Sequence, residues 1–144
     1  MNLSFLIVKP DAVSKGHVRK IIQSLRRHGF KVVRRKRKTL SRKDVIFLYP
    51  MYIQKKFFED LASFMTSGSS ELFIVHREGF ATETLDKLVG TTDPRKNIAA
   101  TLRKRFGTSV RRNAVHSPNS EESAIRELLY FFPEWEREEF GLLL

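Results

Sequence analysis

The chain has 144 residues, the size of one ordinary domain, and 41% of them are hydrophobic, enough for a packed core. Its 27 lysine and arginine residues against 16 acidic residues give a net charge of +11, which favours anionic partners. The absence of cysteine excludes disulfide frameworks, thiolate zinc sites and cysteine nucleophiles. Without a membrane-length apolar run or a signal-peptide pattern, we expect one cytoplasmic domain over residues 1–144 and no membrane partner.

The first part of the chain alternates between strand and helix patterns. Leu3–Val8 is a continuous apolar run, which is typical of a buried central strand. Apolar residues at helical spacing over Val18–Leu25 predict an amphipathic helix, with Gly29 placed to form a left-handed cap at its end. A second strand is predicted over Phe30–Lys38.

The rest of the chain adds two strands and several helices. The patterns predict a helix over Phe57–Met65, a strand over Glu71–His76, short helices over Thr82–Val89 and Ala99–Phe106, a strand over Asn113–Val115, and a helix capped by Ser120. This order favours an α/β (α+β) fold of the ferredoxin-like βαββαβ kind, a four-stranded antiparallel sheet covered by helices. We expect the helices on one face. The apolar ending Leu142–Leu144 predicts a tail that needs cover.

One short segment carries a candidate for chemistry. His116 follows a short apolar strand and precedes a loop of small residues, after which a helix begins at once. Glu127 lies two turns along that helix, so its carboxylate is placed to accept a hydrogen bond from one ring nitrogen. The other nitrogen would then be free as a nucleophile, and imidazole is a good phosphoryl acceptor near pH 7. A histidine that only caps a loop is the alternative interpretation.

Two motifs stand out: Lys9-Pro10-Asp11 directly follows the first strand, and residues 113–120 read NAVHSPNS. They resemble the Lys-Pro-Asp and Asn-x-x-His-Gly-Ser-Asp-Ser motifs of the nucleoside diphosphate kinase family. Further matches fall in family order over almost the whole chain: Phe57-Phe58, residues 64–68, residues 90–94, residues 101–103 and residues 131–133.

The resemblance implies ping-pong transfer of a γ-phosphoryl group between nucleoside tri- and diphosphates through a phosphohistidine. It also implies Mg²⁺ carried by the nucleotide phosphates, no metal ligands from the protein, and a dimer-based homo-oligomer. The implied catalytic residues are the nucleophile His116, its orienting partner Glu127, Lys9 near the transferring phosphate and Tyr49 beside the phosphohistidine. The implied nucleotide contacts are Lys9 and Asn113 on the sugar, Thr92 and Arg103 on the phosphates, and Phe57, Leu61 and Val110 around the base.

Each implied role has a plainer alternative. Lys9 is also consistent with a solvated strand end, Phe57 with core packing and Arg103 with a solvated helix face. In the same way Tyr49 is consistent with a half-buried packing residue, and Glu127 with a surface ion pair.

The sequence also departs from the family pattern. Pro118 replaces a serine whose hydroxyl normally bridges the histidine and the glutamate, and Asn119 replaces an aspartate. Asp86 stands where the family has a phosphate-binding arginine. An acid there would repel phosphate unless Lys87 or the Arg95-Lys96 loop supplies the missing cation. Pro118 and Asp86 predict reduced activity.

The basic run Arg34–Lys38 lies in the second predicted strand, which commonly pairs with its twin in the family's dimer. We expect this run not to alternate cleanly between core and solvent. Either the like charges weaken such a dimer, which salt or a polyanion would then strengthen, or the strand contacts nucleic acid or another acidic partner. A solvated edge strand that is guarded by its charge is the plainer alternative.

Two rival functions stay open at this point. One is a catalytically weakened module of the same fold that binds nucleic acid or an acidic protein through its basic surface. The other is a sheet-based RNA reader, which would need exposed aromatic residues on its central strands. Only Phe5 and Phe73 are available there, and both lie within apolar runs.

Overall fold

Four strands form one antiparallel sheet in this computed structural model, which describes residues 1–97 and 99–135. The strands are β1 (Leu3–Val8), β2 (Lys31–Lys38), β3 (Ser70–His76) and β4 (Val115–His116), in the spatial order β2-β3-β1-β4. The predicted βαββαβ sandwich is confirmed, and β2 and β4 lie at opposite edges of the sheet. No described helix is long and apolar enough to cross a membrane. The predicted tail Leu142–Leu144 lies outside the described residues.

Helices cover both faces of the sheet, so the expectation of a single covered face is wrong. The seven described helices are divided between the two faces. The third, fourth and seventh helices along the chain pack on Phe5 and Ile7, and the other four pack on Leu6 and Val8. The reason is the unbroken apolar run of β1, every residue of which is buried. The helices are α1 (Pro10–Ser14), α2 (Val18–Arg27), α3 (Arg42–Leu48), α4 (Phe58–Met65), α5 (Ala81–Val89), α6 (Leu102–Phe106) and α7 (Glu121–Phe131), with 3₁₀ turns at Pro50–Tyr52 and Pro94–Lys96.

The central strands offer no surface for stacking bases. Phe5 and Phe73 are fully buried, each with 0% of its surface exposed. A sheet-based RNA reader needs such aromatic rings on an open face, so that rival function is excluded.

Two elements begin two or more residues later than predicted. Helix α6 begins at Leu102 rather than Ala99, because the Thr101 side chain caps it by accepting a hydrogen bond from the Lys104 N–H. Strand β4 covers Val115–His116 rather than Asn113–Val115, because Ala114 adopts a left-handed conformation with φ of 75° and breaks the extended backbone.

The cations of the basic edge strand β2 lie on both faces of the sheet, and none of Arg34–Lys38 is buried, so the run does not alternate between core and solvent, as expected. The Lys36 ammonium lies 4.5 Å from the Phe132 ring centroid on one face, and the Arg35 guanidinium lies 5.5 Å from that of Phe73 on the other. The aliphatic stems thus cover apolar surface while the charged ends reach the rim of the sheet.

Candidate active site

Strand β4 brings His116 to a cleft at its edge of the sheet. The cleft has a volume of about 830 Å³, and the His116 side chain is 12% exposed. We call it the His116 cleft. Five residues with roles implied by the resemblance line it: Tyr49, Thr92, Arg103, His116 and Glu127.

The imidazole of His116 is held from both sides. Its Nε2 lies 2.7 Å from Oε1 of the buried Glu127, and its Nδ1 lies 3.3 Å from the Tyr49 hydroxyl. Because a carboxylate only accepts hydrogen bonds, Nε2 carries the proton and Nδ1 keeps its lone pair. Burial raises the pKa of Tyr49, although Arg103 opposes the shift, so the Tyr49 hydroxyl stays protonated at neutral pH.

Helix α7 places Glu127 opposite the ring. Its N-cap Ser120 accepts a hydrogen bond from the Ser123 N–H, and Glu121 and Glu122 occupy its first turn, where carboxylates suit the helix dipole. The second carboxylate oxygen of Glu127, Oε2, is buried without a hydrogen-bond partner among the described residues.

Asp11 holds Ala114, the strained residue two positions before His116. The sequence motifs indicated no specific role for Asp11. Asp11 Oδ2 accepts a hydrogen bond from the Ala114 N–H at 3.0 Å, and Ala114 O accepts one from the Lys9 N–H at 2.8 Å. A left-handed conformation costs a residue with a Cβ about 1–2 kcal/mol, so these contacts maintain it against strain. The only sequence signal was the position of Asp11 in the Lys-Pro-Asp motif.

Arg103 presents its guanidinium at the cleft wall. It donates one hydrogen bond to Gly90 O at 3.0 Å and another to Val115 O at 3.1 Å, while its buried Nε has no partner among the described residues. Burial lowers the pKa of Arg103, and Tyr49 and Asp86 partly offset that shift. The guanidinium is therefore a fixed cation attached to the residue that precedes His116.

The close approach at Gly90 requires glycine. Its φ is 89°, and a Cβ there would overlap the side chains of Asn97 and Thr101. Asn97 was not singled out in the sequence, yet its Oδ1 accepts a hydrogen bond from the Thr91 N–H at 2.9 Å. Asn97 thus holds the loop that carries Thr92, and nothing in an isolated loop asparagine signals that role.

Lys9 and Asn113 lie behind the cleft wall rather than on it. Lys9 is 4% exposed, and its ammonium donates to Asn113 Oδ1 at 2.9 Å and to Arg111 O at 3.1 Å. The Asn113 amide nitrogen donates to Thr92 O and Val110 O. Burial lowers the pKa of Lys9 to about 7, with Arg103 and Arg111 lowering it further and Asp11 opposing them.

This depressed pKa predicts a pH-dependent stability. Between pH 7 and about pH 10, the unfolded chain keeps the Lys9 proton that the folded chain releases, so stability rises with pH. Relative to Lys9→Met, the wild-type free energy of unfolding should rise by about 2 kcal/mol from pH 7 to pH 9. Urea unfolding at both pH values measures this difference, and parallel pH profiles for the two proteins would contradict it.

The three residues implied to surround the base lie outside the His116 cleft. Phe57 is 40% exposed, so it is not a core residue, and its ring contacts Tyr52 and Arg111. Val110 is 50% exposed, whereas Leu61 is only 7% exposed and belongs to the core under α4.

The cations near Asp86 differ in whether they already form an ion pair. Asp86, Lys87 and Lys96 all line the His116 cleft, but Lys87 forms an ion pair within its own helix. Arg95 is paired within its own loop. Lys96 has no ion pair among the described residues, which makes it the cation best placed to offset Asp86.

Fold and cleft together define a nucleotide phosphotransferase: a histidine oriented by a carboxylate, beside a fixed guanidinium, in a ferredoxin-like sandwich. The sequence model of the nucleoside diphosphate kinase family matches residues 2–137. The chain therefore belongs to the nucleoside diphosphate kinase family.

Individual relatives agree with that assignment. The nucleoside diphosphate kinase of Syntrophotalea carbinolica is 39% identical over 92% of this chain and 96% of its own length. That of Geobacter sulfurreducens is 37% identical over 94% of this chain and 98% of its own. The crystal structure of the Aquifex aeolicus enzyme superposes with a TM-score of 0.83 at 30% identity, covering 91% of this chain and 94% of that one.

The described residues contain no group of three histidine, cysteine, aspartate or glutamate side chains that could hold a metal ion. The family's phosphotransfer needs a divalent cation. The residues present fit an ion that is bound mainly by nucleotide phosphate oxygens and water.

Proposed function

We propose that this chain transfers the γ-phosphoryl group of a nucleoside triphosphate to a nucleoside diphosphate, by a ping-pong mechanism through phospho-His116. The observation that carries the proposal is the geometry of the imidazole. Glu127 holds Nε2 at 2.7 Å, and the opposite nitrogen lies in a cleft that also contains Arg103 and Thr92.

The first half-reaction uses Nδ1 of His116 as the nucleophile. As the bond from Nδ1 to the γ-phosphorus forms, the bond from that phosphorus to the β–γ bridging oxygen breaks, and the nucleoside diphosphate leaves. Glu127 stabilises the positive charge that develops on the ring, because its carboxylate accepts a hydrogen bond from the Nε2–H of His116. In the second half-reaction a terminal oxygen of another nucleoside diphosphate bonds to the phosphorus, the bond from Nδ1 to phosphorus breaks, and its electron pair returns to Nδ1, which restores the neutral histidine.

Positioned cations and donors stabilise the phosphate charge. Arg103 and Thr92 would hold phosphate oxygens, while Lys9 and Asn113 would contact the sugar, with Lys9 also close to the transferring phosphate. For Lys9 this requires its ammonium to exchange Arg111 O or Asn113 Oδ1 for a nucleotide oxygen. Tyr49 would lie beside the phosphohistidine.

The base is held by its face rather than its edges. Phe57 would stack on it, and Val110 and the rim of Leu61 would complete the slot. The exposed ring of Phe57 supports this role, because a stacking surface must be open to solvent before the nucleotide arrives. Contacts of this kind do not distinguish one base from another, so broad nucleotide tolerance follows.

Mg²⁺ is the divalent cation that we propose for the reaction. When it is bound by the nucleotide phosphates, it neutralises part of their charge. The protein's own contribution lies in Arg103 and Lys96, which line the same cleft.

Initial-rate kinetics test the proposed function. With ATP as donor and dTDP as acceptor in the presence of Mg²⁺, double-reciprocal plots at several acceptor concentrations should be parallel, as in a ping-pong reaction. Chelation of the metal should abolish the exchange. Intersecting lines, or no exchange at all, would overturn the proposal.

Pro118 should reduce the rate, and restoring a hydroxyl there should raise it. Glu127 Oε2 is buried without a partner among the described residues, and proline offers no donor to it. We expect Pro118→Ser to raise kcat by about threefold to tenfold, the factor that corresponds to the usual net contribution of one hydrogen bond, about 0.5–1.5 kcal/mol.

Pro118→Ala is the matched control, because it removes the ring without adding a hydroxyl. Its kcat should stay close to that of the wild type. If alanine raised the rate as much as serine, or if serine left it unchanged, the missing donor would not be the cause.

The oligomer is also part of the proposal. Pairing two copies along β2 would set Arg34–Lys38 against the same five cations. In the part of the chain that the structure describes, Glu71, Asp44 and Glu134 pair with the last four of them. We therefore expect a dimer that strengthens with salt, because screening reduces the repulsion. Light scattering should show the average molar mass rising between about 50 mM and 1 M KCl. A mass that does not change with salt would contradict this expectation.

A further inference from the structure

Three aromatic rings form a row that starts beside His116 and ends at Phe57. The Tyr49 ring meets the His116 ring edge to face, with the centroids 5.5 Å apart. Tyr52 stacks on Tyr49 at a centroid distance of 5.9 Å, with the ring planes 18° from parallel. Tyr52 also meets Phe57 edge to face at 5.1 Å, with 65° between the planes. All three distances lie in the range at which aromatic rings attract one another.

Short backbone turns set the spacing of these rings. The carbonyl oxygen of Tyr49 accepts a hydrogen bond at 3.0 Å from the N–H of Tyr52, the last residue of the first 3₁₀ turn. Because side chains three residues apart eclipse each other in such a turn, the two tyrosine rings stack. The Tyr52 carbonyl oxygen accepts a hydrogen bond from the Lys55 N–H at 2.9 Å, and the Lys55 carbonyl oxygen accepts one from the Phe58 N–H at 3.1 Å. Successive turns therefore carry the chain from Tyr49 to the start of α4.

Tyr49 is the fixed end of the row, and Phe57 is the open end. The Tyr49 hydroxyl lies 3.3 Å from His116 Nδ1, and the Tyr49 N–H donates to Val45 O at 2.9 Å where α3 ends. Phe57 is 40% exposed. An exposed ring that is immobilised when a ligand binds costs affinity, and a neighbour that already holds the ring lowers this cost.

Tyr52 joins the two ends of the proposed nucleotide site. Its side chain lines the His116 cleft, and 37% of its surface is exposed. Phe57 and Val110 lie outside that cleft, so the phosphate end and the base end of the site are separate surfaces. Tyr52 lines the first surface and contacts the Phe57 ring of the second. The resemblance to the family implied no role for this residue.

We propose that Tyr52 is a positioning residue for the nucleotide, which acts by holding the Phe57 ring at a set distance and angle from His116. This inference rests on the proposed function, in which the base stacks on Phe57. The Tyr52 ring makes the contacts, so its hydroxyl is not required. A ring pair of this kind changes an equilibrium constant by about threefold to tenfold, which sets the size of the expected effect.

Calorimetric titration with ADP tests the proposal without requiring catalysis. Tyr52→Ala should weaken ADP binding by about threefold to tenfold and lower kcat/KM by a similar factor. Its kcat should stay within about twofold of the wild type, because Tyr49 and His116 keep their own contacts and only binding is lost. Tyr52→Phe keeps the ring and should restore the wild-type affinity. Circular dichroism checks that each variant is folded.

A double-mutant cycle with Phe57→Ala shows whether Tyr52 acts through that ring. In the Phe57→Ala protein, the further change Tyr52→Ala should alter ADP affinity by less than about twofold, because the ring to be held is absent. Ile53→Ala is the matched control. Ile53 follows Tyr52 in the chain, is 44% exposed and does not line the His116 cleft, so this variant should bind ADP within about twofold of the wild type.

Four outcomes overturn the proposal. Tyr52→Ala binds ADP as tightly as the wild type, or Tyr52→Phe binds it as weakly as Tyr52→Ala. The losses in Tyr52→Ala and Phe57→Ala multiply in the double variant, or Ile53→Ala loses as much affinity as Tyr52→Ala. Failure of the proposed function gives a different result, since the wild type would then bind ADP with the expected coupling but exchange no phosphate.

Discussion

Replacing His116 with alanine should abolish nucleotide exchange. The change removes the only side chain in the described part of the cleft that a buried carboxylate orients and whose second ring nitrogen is unprotonated. Loss of the group that carries the covalent intermediate costs on the order of 10⁴- to 10⁶-fold in kcat. Steady-state exchange between ATP and dTDP measures the loss.

The control for this prediction is His76→Ala. His76 ends β3 and does not line the His116 cleft, so its removal should leave kcat within a few-fold of the wild type. Nucleotide affinity should survive in His116→Ala, because that variant keeps Arg103 and Thr92. Exchange retained at more than a hundredth of the wild-type rate would show that another residue carries the phosphoryl group.

Replacing Arg103 with methionine should cause the second-largest loss. The guanidinium is the cleft's fixed cation, and it also ties Gly90 O and Val115 O together next to His116. Removing one positioned donor to developing charge typically costs about 10²- to 10³-fold in kcat, and we expect a fall of that order. Thermal unfolding should move to lower temperature as well, because two partly buried carbonyl groups lose a donor.

Two further variants separate charge from geometry at this position. Arg103→Lys keeps the charge but lacks the planar, wide guanidinium that spans the two carbonyls, so it should recover only part of the rate. Lys104→Met removes an exposed cation from the next position of α6 and should leave kcat nearly unchanged. Equal losses in Lys104→Met and Arg103→Met would mean that general charge, not the fixed guanidinium, supports the reaction.

Local patterns were sufficient for the main elements of the fold. The unbroken apolar run of β1 predicted a buried strand, and the stripe from Val18 to Leu25 predicted α2. Helices α1 and α3 were not predicted, because five and seven residues are too short for a repeating apolar stripe. The capping box between Ser41 and Asp44 was the available signal for α3.

The site was less accessible to sequence reasoning, because it depends on contacts between distant segments. The resemblance supplied the residues, but no local pattern places Asp11 under the Ala114 N–H or links Lys9 to Asn113. The same limit applies to β2, where the placement of the cations on both faces was visible only once the rings of Phe73 and Phe132 were in place.

The most direct measurement is phosphoenzyme formation with γ-labelled ATP, Mg²⁺ and no acceptor. We predict close to one label per chain, labile in acid, stable in base, absent from His116→Ala and transferred to GDP when it is added. A wild-type protein that takes up no label, or a label that persists in His116→Ala, would contradict the assignment of His116 as the phosphoryl carrier.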